Sequence, residues 1–562
     1  MYDSEASCMS QIVLITVYKF DFHYNIKNMN IVKVHIRILF LLILIFTTKN
    51  NNAQNVFQKD YTGSGTSIGY SVQTDNSGFT IAGTTSFSGQ GGKDVLLMRT
   101  DLNGNLLWAE TIGGKGDDIA RALKKTSDGG YILVGSTSSY VDASSDSSNF
   151  YIIKTDVSGN VEWTRAIGSF KTEVANDVIE TYDHQYAIVG YTESIGPGNE
   201  DIYFIELDAN GNLQWAYGMG SSGSDFGNSL VQIPSHGFIL AGSTTGFGAG
   251  GQIPYLLFTD ESGNVQNPSF TFNLNTTVTT NKRYFTKIIE GYFNDYVITG
   301  SDGLDWIDAA QHFILDIGQN GEVNWMKKYF LNSGEGVGTS LDKTSDGGFI
   351  IGGTMGFDHP ALIKIDAIGQ LEKTKFYPDI SSPYFGKGLD VKQAFNGEYI
   401  LAGYRYNSSD TSLYLIKADL NLASGCDEHD GFINTAENMN PTSDLQITTS
   451  STGSNYIAID SGVVAPAYPY MNVICISTGI THAHPLIENL EIRQTDISIE
   501  FLLNDADDFI ISIAIYNLLG EKVRSTGKNN QDVFITGLPR GLYFYRVMTN
   551  KQLFYTGKFT LD

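Results

Sequence analysis

Four acidic residues recur at one position of a repeated phrase, and they are the side chains in this sequence best placed to do chemistry. Each lies ten residues after a tryptophan, and the pairs are Trp108 and Asp118, Trp163 and Glu173, Trp215 and Asp225, and Trp325 and Glu335. Carboxylates on one rim could bind a cation or sugar hydroxyls, and a pair about 5 to 10 Å apart could hydrolyse a glycosidic bond. An acid in a glycine-rich loop can instead accept backbone N–H bonds. Both interpretations stay open, and the structural one is favoured.

Other catalytic signatures are missing from the sequence. It contains no H-E-x-x-H pair and no phosphate-binding Gly-Lys-Ser loop, and the glycine-rich stretch GSGTSIG at residues 63–69 falls in a repeat crossing and is interpreted as a turn. We therefore predict no catalytic residue, no metal ligand and no cofactor. The formal charge of −25 arises from 36 Lys and Arg against 61 Asp and Glu. Such a protein repels phosphate backbones, so nucleic acid is not an expected partner.

The elements that would position these acids form an internal repeat. A short apolar strand ending in glycine occurs seven times at intervals of 50 to 58 residues, with its last glycine at 83, 135, 190, 242, 300, 353 and 403. Each unit contains four strand-like runs separated by Gly, Asn, Asp and Ser clusters, and no helical periodicity intervenes. Four short strands per repeat are typical of propeller blades. The sequence therefore predicts an all-β protein with a seven-bladed β-propeller over residues 55–421.

A turn phrase defines the phase of each blade. Asp-x-x-Gly-Asn, as in residues 101–105, is a hairpin turn in which glycine supplies the positive φ angle. It joins two strands of one blade, so the first strand, Phe57 to Tyr61, has no partner in its own repeat and should complete the last blade. The Asp-x-x-Gly-x-x-x-Trp phrase resembles the tryptophan-docking repeat of quinoprotein propellers. That resemblance implies that four tryptophans pack between neighbouring blades, namely Trp108, Trp163, Trp215 and Trp325.

The amino terminus has the three-part pattern of a secretory signal. In residues 29–54, Lys33 and Arg37 precede an apolar run from Ile38 to Phe46, and a polar stretch follows up to the small residue Ala53. An apolar run this short argues against a permanent transmembrane anchor. Residues 1–28 would bury the signal, so we interpret them as a mis-annotated upstream extension.

Two cysteines remain once the leader is set aside, Cys426 and Cys475. An even number in an exported chain leads us to expect a disulfide between them, with two free buried thiols as the alternative. Both lie within residues 422–485, where Ser, Thr, Asn and Gly dominate. We predict that this stretch is a linker or a small irregular region.

The carboxyl-terminal segment, residues 486–562, returns to an all-β pattern. Three phrases stand in a fixed order: IAIYNLLGEKV with Gly520, LPRGLYFYRV with Gly541 and Tyr543, and the closing GKFTLD. The segment resembles the type A sorting domain of Bacteroidetes proteins exported by the type IX secretion system. This resemblance implies a small β-sandwich-like domain, the type IX machinery as a partner, and a route through the periplasm to the outer cell surface or the medium.

These observations lead us to expect a non-enzymatic exported propeller that acts as a binding or adhesion module for a glycan or protein ligand. A secreted carbohydrate-active enzyme that uses the rim carboxylates is the alternative. A structural scaffold in a surface complex is the second alternative.

Overall fold

The chain divides into two compact units, Met1–Gly479 and Ile480–Asp562, each built from strands without a helix among the described residues. The computed structural model describes residues 56–63, 65–141, 147–235, 237–247, 251–273, 282–303, 311–331, 335–356, 358–377, 385–407, 410–425, 428–430, 433–438, 442–446, 449–452, 463–466, 470–477, 490–495, 498–503, 510–516, 522–530, 532–536, 538–539, 541–549 and 554–561. The signal segment at residues 29–54 lies outside these ranges.

The first unit contains a seven-bladed β-propeller, as the sequence predicts. Every blade is an antiparallel sheet, and the first strand of each repeat is innermost. Blade 1 comprises β2 (Ser67–Asp75), β3 (Gly78–Thr85), β4 (Asp94–Asp101) and β5 (Leu106–Gly113); blade 2 comprises β6 (Asp118–Lys125), β7 (Tyr131–Thr137), β8 (Asn149–Thr155) and β9 (Val161–Ile167). Blade 3 comprises β10 (Glu173–Glu180), β11 (Tyr186–Thr192), β12 (Asp201–Leu207) and β13 (Leu213–Gly220).

The remaining blades follow the same order. Blade 4 comprises β14 (Asp225–Gln232), β15 (Phe238–Thr244), β16 (Ile253–Thr259) and β17 (Val265–Asn273); blade 5 comprises β18 (Lys282–Glu290), β19 (Tyr296–Gly303), β20 (Gln311–Ile317) and β21 (Val323–Leu331). Blade 6 comprises β22 (Glu335–Lys343), β23 (Phe349–Gly356), β24 (His359–Ile365) and β25 (Leu371–Phe376); blade 7 comprises β26 (Phe385–Gln393), β27 (Tyr399–Tyr406) and β28 (Thr411–Ala418).

The strand β1 (Val56–Thr62) completes blade 7, which confirms the predicted closure. It pairs antiparallel with β28, in a register that runs from Phe57 opposite Lys417 to Tyr61 opposite Leu413. Two contacts lock this pairing: Arg405 Nε lies 2.6 Å from Asp60 Oδ2, and Tyr414 donates to the Gln58 side chain. The two ends of the propeller sequence therefore share one sheet, which closes the ring.

The core consists of the middle strands of each blade. All residues of β3, β7 and β8 are buried, because these strands face a neighbouring blade on each side. Outer strands such as β5 alternate buried and accessible positions. This is why the middle strands are continuous apolar runs in the sequence, whereas the outer strands are mixed.

Residues 422–485 differ from the linker prediction. They contain six short strands that add a fifth strand to the outer edge of six blades in reverse order: β29 (His429–Asp430), β30 (Ile433–Asn438), β31 (Thr442–Gln446), β32 (Thr449–Thr452), β33 (Val463–Pro466) and β34 (Tyr470–Ser477). They pair with β25, β21, β17, β13, β5 and β1, respectively. We call these six strands the belt. Pairing along a sheet edge uses backbone N–H and C=O groups, which nearly every residue has. A Ser- and Thr-rich segment can therefore form these strands without the apolar pattern from which a strand is predicted.

The second unit contains two antiparallel sheets. A three-stranded sheet has the order β35 (Leu490–Thr495), β36 (Ser498–Leu503) and β39 (Asp532–Thr536). A four-stranded sheet has the order β38 (Lys522–Asn530), β37 (Ile510–Tyr516), β40 (Gly541–Thr549) and β41 (Phe554–Leu561). Ile513 and Val547 are fully buried and opposite each other in the four-stranded sheet, so this small unit has an apolar centre of its own.

Candidate functional site

All four rim carboxylates begin the innermost strand of their blade. Asp118, Glu173 and Asp225 are the first residues of β6, β10 and β14, and all three are fully buried. Glu335 begins β22 in the same way, but its side chain lies outside the described residues. The fold therefore gathers these acids at equivalent ends of inner strands, under the loops that connect one blade to the next.

Each buried acid accepts a hydrogen bond from the backbone N–H four residues before it. The donors are Gly114 N to Asp118 at 2.7 Å, Ser169 N to Glu173 at 2.9 Å, and Ser221 N to Asp225 at 2.7 Å. Hydroxyl donors add a second bond, from Ser139, Thr192 and Ser221, respectively. Burial raises the pKa of all three acids, although these hydrogen bonds oppose the rise. Their contacts are those of loop-fastening residues.

A second acid accompanies two of these carboxylates. A Cβ placed on Gly113 would lie 2.4 Å from Asp94 Oδ1 and 2.6 Å from Asp118 Oδ2, so both side chains converge on the same glycine. Burial, with the Asp118 carboxylate adding to it, raises the pKa of Asp94 to about 6. Asp94 is the first residue of β4, the strand that leads into the Asp-x-x-Gly-Asn turn at residues 101–105, and no pattern in the sequence analysis includes it.

The same arrangement recurs between blades 3 and 4. Asp201 and Asp225 converge on Gly220, and burial together with the Asp225 charge raises the pKa of Asp201 to about 7. Between blades 2 and 3 the first residue of β8 is Asn149, so that site holds an amide and one acid, Glu173. The type of residue at the start of the third strand of each blade therefore indicates whether a site holds two acids: it is Asp94 in β4 and Asp201 in β12, but Asn149 in β8.

The tryptophans lie on outer strands and contact the next blade. A Cβ on Gly159, in the β8–β9 turn, would lie 2.4 Å from the Trp108 ring. The same turn glycine of the following blade lies against each of the other three rings, in the pairs Gly211 and Trp163, Gly263 and Trp215, and Gly369 and Trp325. These glycines have φ angles between 74° and 88°, so the turn and the ring contact both favour glycine.

The turn that carries each of these glycines is built as the phrase predicts. Asp101 Oδ1 accepts the N–H groups of Asn103 and Asn105, both at 2.8 Å, and Gly104 N donates to the Asp101 carbonyl. The turn joins β4 to β5 within blade 1, which confirms the predicted phase. Cys426 lies outside the described residues, and the structure gives no support to the predicted Cys426–Cys475 disulfide.

A central cavity is the feature that sequence reasoning missed. It has a volume of about 90 Å³ and is lined by residues from all seven inner strands, so it is the channel of the propeller. Every inner strand carries a β-bulge at the same place, and one residue per bulge faces this channel: Tyr70, Arg121, Asn176, Asn228, Thr286, Thr339 and Leu389. Bulges aim side chains that a regular strand would turn away.

Four of the bulge side chains connect neighbouring blades. Asn176, Asn228, Thr286 and Thr339 each donate to a backbone carbonyl of the next inner strand, at 2.9, 2.7, 2.6 and 2.9 Å. The acceptors, Gly227, Phe285, Gly338 and Gly388, all directly precede the next bulge. These four bonds form a continuous chain that links five of the seven inner strands, from blade 3 to blade 7.

Arg121 and Tyr70 depart from this chain of bonds. Arg121 is exposed and donates a 3.5 Å hydrogen bond to Asn176 Oδ1. Burial raises the pKa of Tyr70 and of Tyr191, and in both cases the Arg121 charge opposes the rise. Tyr191 in turn contacts Phe226 edge to face at 5.2 Å. We call Tyr70, Arg121, Tyr191 and Phe226 the channel mouth.

The comparisons with known proteins concern the two units separately. Residues 493–561 match the secretion system C-terminal sorting domain, which agrees with the resemblance of residues 486–562. No curated protein matches the chain. Among the described residues, no helix has the length and apolar character needed to cross a membrane.

Solved structures that resemble this chain do so at low identity. Sqt1 from Chaetomium thermophilum is 13% identical, with 64% of this chain and 85% of that chain covered and a TM-score of 0.34. An endo-1,5-alpha-L-arabinanase from Thermotoga petrophila is 12% identical, with 64% and 99% covered and a TM-score of 0.26. The extracellular domain of a one component system from B. thetaiotaomicron is 10% identical, with 90% and 98% covered and a TM-score of 0.22.

These TM-scores carry no functional information. The sorting-domain match does, because such a tail directs a protein to the type IX secretion machinery and so to the cell surface or the medium. The chain is therefore an exported protein that carries a C-terminal sorting domain of the type IX secretion system after a seven-bladed β-propeller.

Proposed function

We propose that the propeller is a non-enzymatic binding module for a glycan or protein ligand, and that it contacts this ligand at the channel mouth. One observation carries the proposal. Arg121 lines the open polar channel and is exposed there, and its hydrogen bond to Asn176 Oδ1 of the next blade is long at 3.5 Å, whereas its counterparts make bonds of 2.6 to 2.9 Å to backbone carbonyls. Tyr70 lines the same channel. Arginine and tyrosine offer hydrogen bonding together with apolar surface, and both are enriched where proteins bind ligands.

The contacts of the rim carboxylates favour binding over catalysis. A glycosidase needs a carboxyl group that touches the scissile bond and a second one on the other side of the sugar. Asp118, Glu173 and Asp225 are fully buried, and their hydrogen bonds come from the loops above them. The carbohydrate-active alternative would require these loops to open.

The proposal is tested by binding to glycan arrays and to cell surfaces, with the labelled chain from residue 55 onward. Arg121→Ala should weaken binding about tenfold or more, because hydrogen bonds to a charged donor are worth roughly 1.5–3 kcal/mol. Lys125→Ala is the matched control, since it removes the same charge from an exposed end of the same strand.

Two results would contradict the binding proposal. One is unchanged binding in Arg121→Ala. The other is polysaccharide hydrolysis that Asp118→Asn or Asp225→Asn abolishes, which would return the rim acids to a catalytic role.

A further inference from the structure

The channel holds a group of lysines beyond the bulge residues. Lys124, Lys287 and Lys392 all line the same cavity, although the protein as a whole carries a formal charge of −25. Lys124 and Lys392 occupy the same position of β6 and β26, opposite Ile132 and Ile400, respectively. Three ammonium groups in one narrow channel repel one another unless negative charge compensates them.

Two of these lysines have a carboxylate partner. Lys287 Nζ lies 2.6 Å from Asp177 Oδ2, and Lys392 Nζ lies 3.5 Å from Asp342 Oδ1. Both acids come from inner strands. These two ammonium groups are therefore largely neutralised within the propeller.

Lys124 has no such partner. Within the part of the chain that the structure describes, it makes no salt bridge and no hydrogen bond from its side chain. The other lining carboxylate, Asp390, is already engaged, because it accepts bonds from Ser71 Oγ at 2.8 Å and Val72 N at 2.9 Å. Ser340 occupies its second oxygen. Lys124 is thus the one lining lysine of the channel left without an ion pair among the described residues.

The electrostatics of Lys124 agree with this geometry. The Lys287 charge and burial lower the pKa of Lys124 to about 8, whereas Asp177 opposes the fall. Lys392 lowers this pKa further and Asp390 raises it. An anion beside Lys124 would remove the repulsion and supply the hydrogen-bond acceptor that its ammonium group lacks.

We propose that Lys124, supported by Lys287 and Lys392, forms an oxyanion-binding site that takes a phosphate, sulfate or carboxylate group in the channel. The cavity of about 90 Å³ has room for one such group. A lysine ammonium binds oxyanions as a point charge, and low-dielectric walls of a channel concentrate its field. The inference deepens the proposed binding function, because it states that the ligand carries an anionic group or is itself a small anion.

The experiment is a titration of the chain from residue 55 onward with sodium sulfate, sodium phosphate and sodium acetate at constant ionic strength, set with chloride. Calorimetry measures binding, and thermal unfolding measures the stabilisation that binding produces. Sulfate and phosphate test a tetrahedral anion, and acetate tests a carboxylate. Binding of at least one of them supports the site and identifies the group.

Lys124→Met should abolish this binding, whereas Lys125→Met, with the same charge change at the neighbouring exposed position, should retain it. Without anion, Lys124→Met should be at least as stable as the parent, because the change removes like-charge repulsion. This makes loss of folding distinguishable from loss of the site. In the parent, affinity should fall several-fold between pH 7 and pH 9 as Lys124 loses its proton.

The proposal is overturned if none of the three anions binds, or if they stabilise the parent and Lys124→Met equally, as a general salt effect would. Equal binding at pH 7 and pH 9 would also overturn it. The channel-mouth proposal is read separately through Arg121→Ala on arrays and cells, so either can fail while the other holds.

Discussion

At the residue scale, position in the fold divides chemically similar side chains into different roles. Asp101 and Asp225 are both repeat aspartates, yet one caps an exposed turn and the other is fully buried beneath a blade crossing. The buried acids pay a desolvation penalty that only local donors offset. Arg121 and Asn176 likewise share a bulge position, but Asn176 donates to a backbone carbonyl of the next blade at 2.9 Å, whereas exposed Arg121 makes a 3.5 Å bond to a side chain.

Removal of a buried loop-fastening acid should destabilise the propeller without impairing binding. Asp225→Ala leaves Ser221 N and Ser221 Oγ without their acceptor, so we expect a loss of about 1–3 kcal/mol in the free energy of unfolding. Urea denaturation measures this loss. A variant that is fully stable and no longer binds glycans or cells would instead place Asp225 in the ligand site.

Removal of a charge at a paired-acid site should stabilise the protein at high pH. The pKa of Asp201 is about 7 in the folded protein, above its usual value of 3.8. Between these values the folded state holds an extra proton, so this group makes stability fall as pH rises from 3.8 to about 7, and the loss is complete above that pH. Asp201→Asn copies Asn149 of the neighbouring site and should gain about 1–3 kcal/mol at pH 8, with no gain below pH 4.

Chemical denaturation at both pH values measures this difference, and Asp156→Asn is the control. Hydrogen bonds from Asn160 lower the pKa of Asp156, so neutralising that carboxylate should give no stabilisation at pH 8. Equal stability of Asp201→Asn and the parent at pH 8 would show that the Asp201 carboxylate is not strained by burial.

At the element scale, the belt changes what the blades require. Without it, the outer strands of six blades would present unpaired backbone edges, and such edges favour aggregation. The belt strand β34 also pairs antiparallel with β1, in a register that runs from Val56 opposite Ser477 to Thr62 opposite Tyr470. Ring closure in blade 7 thus depends on segments from both ends of the first unit.

Two truncations should separate the propeller repeats from the belt. A chain that ends after Gly479 keeps every belt strand and should be monomeric. A chain that ends after Asn421 loses the belt, so its exposed strand edges should lower the melting temperature by several degrees or more and promote association. Light scattering and thermal unfolding compare the two, and identical behaviour would show that the belt contributes no stability.

At the scale of the whole molecule, the two units have separate functions. The first unit presents the channel, and the second carries the sorting signal matched over residues 493–561. Their separation into compact units means that the sorting tail can be removed while the belt stays intact.

Deletion of residues 480–562 should retain a folded propeller in the periplasm. Cell fractionation measures where the protein accumulates, and resistance to protease shows that the retained protein is folded. The matched control is the full chain with Arg121→Ala, which should still be exported. Appearance of the truncated protein in the medium would contradict the role of the tail.

The architecture of the first unit was largely predictable because its signals are periodic and local. Seven apolar strands ending in glycine, the Asp-x-x-Gly-Asn turn and the unpaired strand at Phe57 to Tyr61 are short-range patterns. Each reflects burial or turn geometry that the residues themselves impose. The sorting tail was recognisable for a related reason, since its phrases stand in a fixed order at the end of the chain.

The belt and the channel could emerge only from tertiary structure. A belt strand such as Thr449–Thr452 has no apolar pattern, and it exists because blade 3 offers a backbone edge to pair with. Arg121, Lys124, Lys287 and Lys392 are distant or unremarkable in the sequence. Seven bulged inner strands bring them to one axis, and closure of the ring then determines which charges are paired and which one is left for a ligand.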